Sequence, residues 1–134
     1  MATGLRRTVE VRASGRCEYC LAPQAACGYQ FHMEHCVPRS RGGTSGANNL
    51  ALACATCNMQ KGTRTQGIDP QSGATIPLFN PRRDRWSDHF QWNEGDLLMV
   101  AITPIGAATI IALDLNSAVR LPARRLWVAA GLLP

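Results

Sequence analysis

Residues 5–14 place Leu5, Val9 and Arg12 at helical spacing, which predicts a short helix, and Gly15 ends it. The turn Cys17-Glu18-Tyr19-Cys20 follows, and Pro23 prevents easy continuation. Residues 29–35 change period. Tyr29, Phe31 and Met33 alternate with Gln30, His32 and Glu34, the pattern of a strand. Residues 38–49 are polar and glycine-rich and read as a loop, and the apolar run from Leu50 to Ala53 suits a second strand paired with the first. Residues 55–61 allow one or two helical turns before Gly62, which suits a C-cap.

The second half is less regular. Residues 63–81 are rich in Gly, Pro, Thr and Gln and read as an irregular connection. Residues 82–96 carry Trp86, Phe90 and Trp92 among charges, and 97–113 are strongly apolar but interrupted by Pro104 and Gly106. A last helix is expected near 117–131, with Leu121, Leu126 and Trp127 facing inward and Pro122 in its first turn. The expected organisation is α+β: a core over 1–66 and a C-terminal mixed segment, 67–134, packed on it as part of the same domain.

With 134 residues, 46% hydrophobic and 17% charged, a globular core is expected and wholesale disorder is not. A core this small gains from a structural metal. The net charge of +5 favours a polyanionic partner, and all the basic residues but Lys61 are arginines, which suit bidentate phosphate contacts. No apolar stretch is long enough for a membrane span, and Arg6, Arg7, Glu10 and Arg12 interrupt any signal-peptide core. A cytoplasmic protein is the expectation, and there cysteines point to metal binding more than to disulfides.

Cys17-x-x-Cys20 and Cys54-x-x-Cys57 can supply four thiolates to one tetrahedral Zn²⁺. That ion would close a loop around the strand-loop segment. The competing reading is a set of reduced buried thiols or a redox pair. Cys27 and Cys36 read as small buried hydrophobes.

Between and beyond these pairs stand Glu34-His35, then Asn49-Leu50, then Asn58 and Lys61-Gly62. Phosphodiester hydrolysis needs a base for water, charge on the phosphate side and cations on the backbone. The His35 imidazole is the side chain suited to the part of base. Glu34 offers a hard anionic oxygen suited to Mg²⁺ or Mn²⁺, and Asn58 a neutral one. Cys54, Asn58 and Lys61 are spaced i, i+4, i+7, so a helix puts them on one side.

The order and spacing of these residues over about 17–62 resemble the HNH endonuclease family. The resemblance implies a zinc-stapled ββα-metal (His-Me finger) core and a metal-dependent nuclease leaving 5′-phosphate ends. It implies that His35 activates water, that Glu34 and Asn58 hold one catalytic divalent ion, and that Asn49 braces the loop and orients His35. Lys61 would sit near phosphate, and Arg39 and Arg41 would meet the nucleic-acid backbone. Duplex DNA is the expected substrate, with RNA as the alternative. Asn58 stands where the family name has its last His, which keeps an oxygen ligand but changes the preferred ion.

Strict strand alternation puts Glu34 and His35 on opposite faces, so the strand must end, bulge or twist there. His32 shares a face with Glu34 and is either an extra ligand or base, or a surface histidine. Arg82, Arg83 and Arg85 read as a solvated basic face, His89 as structural, and the later aromatics as core rather than base-stacking residues. The alternative to an enzyme is a zinc-dependent nucleic-acid-binding module without catalysis; a further one is a zinc domain for protein interaction.

Overall fold

Helix α1 spans Thr3–Arg12 and buries Val9 completely. The computed structural model describes residues 3–133. Arg12 ends α1 by donating to the carbonyls of Ala47 (2.8 Å) and Leu50 (2.6 Å), so the helix holds the far end of the central loop. A four-residue helix α2 (Gln24–Cys27) follows the first cysteine turn.

Strand β1 (His32–His35) pairs antiparallel with β2 (Leu50–Ala53), with His35 opposite Leu50. β1 is shorter than expected, and its burial does not follow the alternation. Glu34 is buried, whereas Tyr29 is exposed and Met33 only half-buried. A carboxylate occupies an inward position because it is paired there, as described below. β2 is buried at every position, which its unbroken apolar run permits. Helix α3 (Ala55–Lys61) completes the strand-loop-strand-helix unit, with Gly62 as its C-cap.

The stretch 63–81 is not irregular throughout. Strands β3 (Gln66–Ile68) and β4 (Thr75–Pro77) form a hairpin closed by Asp69, whose carboxylate accepts from the Gln71 amide and the Ser72 hydroxyl. Three residues per strand are too few to display alternation. A short helix α4 (Trp86–His89) runs into a second hairpin, β5 (Phe90–Trp92) with β6 (Met99–Ala101). Helix α5 (Pro104–Ala112) starts where Pro104 seemed an interruption. Thr103 caps it by accepting from the Gly106 amide at 3.1 Å, and proline is well suited to a first helical turn. Gly106 is required by close approach, since a Cβ there would lie 2.2 Å from the His89 carbonyl oxygen.

Helix α6 (Arg120–Ala129) carries Pro122 in its first turn as expected, but its inner face differs. Leu126 is 70% exposed and Arg124 is 2% exposed. Arg124 replaces leucine because its guanidinium finds acceptors on Leu97, Leu115 and Asn116 and stacks over Trp92 at 5.0 Å. The aromatics do form core. Phe79 meets Tyr19 edge-on at 6.1 Å and Phe90 at 5.3 Å, and Trp86 donates to the Tyr19 carbonyl at 2.9 Å. Residues of the first half thus pack on residues of the second. The fold is α+β, built from helices and small antiparallel hairpins. No described helix is long and apolar enough to cross a membrane.

Candidate active site

The near end of the loop between β1 and β2 is held by Asn49. The Asn49 carboxamide accepts from the Val37 amide at 2.9 Å and donates to the carbonyls of Val37 (2.9 Å) and Thr44 (2.8 Å). Asn49 therefore closes the loop onto the end of β1. The cost is space. A Cβ on Gly43 would fall 1.8 Å from the Val37 oxygen and 2.8 Å from Asn49 Nδ2. Both neighbours are locked by the same hydrogen bonds, so neither can yield. We expect Gly43→Ala to lower stability by about 1–3 kcal/mol. Thermal denaturation would show it, with zinc content unchanged because Cys17, Cys20, Cys54 and Cys57 lie outside this loop.

The loop and α3 border an open cleft of about 680 Å³, lined by His32, Glu34, His35, Arg39 and Asn58 among others. β1 ends at His35 and the chain bends at Cys36, which lets neighbouring strand residues reach one cleft from different heights. His35 is half-buried, and its Nε2 lies 3.0 Å from Ser45 Oγ. Asn58 is half-buried, and its carboxamide makes no hydrogen bond with the described residues. Arg39 and Arg41 are exposed on the turn that follows β1. Arg39 faces this cleft, while Arg41 faces a second cavity beside β3 and α5. His32 is exposed at the cleft wall.

Glu34 forms the floor. Its Oε1 accepts from the Tyr19 hydroxyl at 2.5 Å and its Oε2 from Lys61 Nζ at 2.6 Å. Lys61 also donates to the Cys36 carbonyl at 3.1 Å. Burial, and then the Glu34 charge, push the Tyr19 hydroxyl well above its ordinary range, so it stays a donor. Lys61 corrects an expectation. It is 2% exposed and lies beneath the cleft, so it supports Glu34 instead of meeting a phosphate. Removing one partner of a buried ion pair leaves the other uncompensated. We expect Lys61→Met to cost about 3–5 kcal/mol in urea denaturation, with Glu34→Gln on that background restoring part of it. A Lys61→Met protein as stable as the parent would remove the pair from this account.

The four cysteines converge at the N-terminal end of α3, where Cys54 is the cap. All are buried, and their Sγ atoms lie within 4.8 Å of one another. Cys20 and Cys54 Sγ are 3.8 Å apart. A tetrahedral site with Zn–S bonds of about 2.3 Å has sulfur–sulfur edges of roughly 3.8 Å, so the donor set fits one such ion. The Cys54 sulfur also accepts from the Cys57 amide at 3.4 Å and so caps α3, joining the cluster to the helix that presents Asn58. Cys36 stands apart, buried, with burial pushing its thiol up to about 12.

Sequence reasoning did not find Tyr19, Ser45 or Gly43. Tyr19 had a signal: it sits inside the first cysteine pair, which fixes where it points. Residues 17–64 match the family model described as HNH endonuclease. Over those residues the chain is similar to that family. The matched residues run from Cys17 through the cleft to Arg64 and include the cysteine cluster, Glu34, His35, Asn49 and Asn58. An HNH domain points to nuclease activity on nucleic acid and to a bound metal. Comparison with curated proteins, and with solved structures, gave no match.

Proposed function

We propose that this chain is a metal-dependent endonuclease that hydrolyses phosphodiester bonds, with duplex DNA as substrate and His35 as general base. The observation that carries the reading is the meeting of His35, Glu34 and Asn58 on one open cleft. His35 takes the proton of the attacking water at a ring nitrogen, with Ser45 holding the ring and Asn49 the loop below it. Arg39 orients the scissile strand, and Arg41 meets the backbone further along.

Glu34 and Asn58 would hold a catalytic divalent ion, Mg²⁺ or Mn²⁺, which supplies positive charge against the phosphate and the leaving oxygen. The donor set fits a weak site. A carboxylate has about four lone-pair positions, of which Tyr19 and Lys61 engage two. One carboxylate and one amide suit an ion that takes its other ligands from water and the substrate phosphate. The four cysteines would hold a structural Zn²⁺, kept in place in the reducing cytoplasm. We read residues 67–134 as part of the same folding unit, on the strength of the Tyr19–Phe79 and Trp86–Tyr19 contacts.

One observation favours a second reading. Because Glu34 is already engaged by Lys61, the chain could be a non-catalytic zinc-dependent module that binds nucleic acid and leaves it intact. Incubation of supercoiled plasmid with the protein separates the two. The nuclease reading expects nicked or linear product with Mg²⁺ or Mn²⁺ and none with EDTA. Salt-dependent binding that persists in EDTA, with no product in any divalent ion, would establish the second reading instead.

A further inference from the structure

Two arginines of α6, Arg120 and Arg124, are withdrawn from solvent without a carboxylate partner among the described residues. Among the described residues the ion pairs are Arg6–Glu10, Lys61–Glu34, Arg82–Glu18 and Arg83–Asp84, and neither Arg120 nor Arg124 belongs to one. Arg124 is nevertheless 2% exposed. A buried cation is costly unless an anion or a full set of acceptors meets it. Arg124 has the acceptors: two backbone carbonyls and the Asn116 carboxamide, with the Trp92 ring below. Those groups are dipoles, and its net charge still needs a counterpart.

The counterpart lies across a small cavity of about 180 Å³, which Cys20 and Cys54 line on one side and Arg120, Arg124 and Trp127 on the other. Arg120 crosses it. Its Nη1 donates to Cys57 Sγ at 3.5 Å, while Nη2 and Nε hold the carbonyls of Leu113 (3.1 Å) and Asp114 (3.0 Å). One guanidinium thus ties the cysteine cluster to the turn after α5. Four thiolates around one divalent cation leave two excess negative charges, and α6 brings two buried or half-buried positive ones.

We propose that Arg120 and Arg124 are the counter-charges of the metal–thiolate cluster, and that α6 is the wall that keeps its ion from leaving. This rests on the reading of the four cysteines as a zinc site. It gives the C-terminal half, which lies beyond the matched HNH residues, a definite task.

The test uses the full chain as purified, with metal content measured first. Zinc release to the chromophoric chelator 4-(2-pyridylazo)resorcinol is then followed for wild type, Arg120→Gln, Arg120→Lys and Arg125→Met. Gln keeps donors near the Leu113 and Asp114 carbonyls without charge, Lys keeps the charge, and Arg125 is an exposed neighbour on the same helix. Expected is release about tenfold faster for Arg120→Gln, with Arg120→Lys and Arg125→Met near wild type. Equal rates for wild type and Arg120→Gln overturn the proposal. So do equally fast Lys and Gln variants, since charge would then be irrelevant. A second readout covers a variant that folds poorly. In the wild type, removing zinc should strip hydrogen-exchange protection from α6, because coupling between the ion and the helix is reciprocal. Unchanged protection overturns the proposal too. A purified chain with no zinc at all sinks the zinc reading itself, a result distinct from zinc that is present but indifferent to Arg120.

Discussion

His35→Ala should reduce metal-dependent cleavage by roughly 10²–10⁴-fold, the usual contribution of a positioned general base. The substitution removes the imidazole held 3.0 Å from Ser45 and leaves the structural network intact. Asn49 still closes the loop, since its hydrogen bonds go to the backbone of Val37 and Thr44. Glu34 keeps Tyr19 and Lys61. The variant should therefore fold, bind zinc and bind nucleic acid like the parent. Plasmid nicking over a time course, with wild type and variant purified side by side, measures the loss. If both preparations nick at the same rate, the activity belongs to a contaminant or to another residue, and the assignment of His35 fails.

Cys17→Ser should lose zinc and cooperative folding together. Structural zinc contributes on the order of 10–16 kcal/mol of apparent binding free energy, which is as large as the whole stability of an ordinary domain. Here the cluster does more than bridge two turns. Its first turn carries Tyr19 to Glu34, and its second caps the helix that presents Asn58 and Lys61. Loss of one sulfur unties the cleft floor as well as the knuckle. Near-zero metal content and a non-cooperative melt are expected, and chelation of the wild type should reproduce both. A Cys17→Ser protein that keeps one zinc per chain and melts cooperatively would contradict the assignment.

The two effects separate because the cysteine cluster and the cleft share α3 but no side chain. Cys54 and Cys57 face the cluster, while Asn58, one residue further on, reaches the cleft. The same helix ends in Lys61, which is folded inward under Glu34. Loss of the His35 imidazole is therefore expected to be silent in stability, and loss of a thiolate to be felt in both.

Local spacing in the sequence determined the two cysteine pairs and the strand-loop-strand-helix order, and the family resemblance named the candidates His35, Asn49 and Asn58. Those are properties of neighbours within a few residues of one another, and they stay legible in one dimension. Its unbroken apolar run also marked β2, and proline chemistry the first turn of α6. Tertiary structure alone decided which polar groups go inside. Lys61, Glu34 and Arg124 look like surface residues in the sequence, and each is buried because partners distant along the chain satisfy it: Tyr19 and Lys61 for Glu34, and Leu97, Leu115 and Trp92 for Arg124. The short hairpins of the second half likewise owe their existence to packing against α5 and the Phe79 cluster, because three-residue strands carry too little pattern of their own. Burial of a charge is a property of the pair, and only the fold brings the pair together.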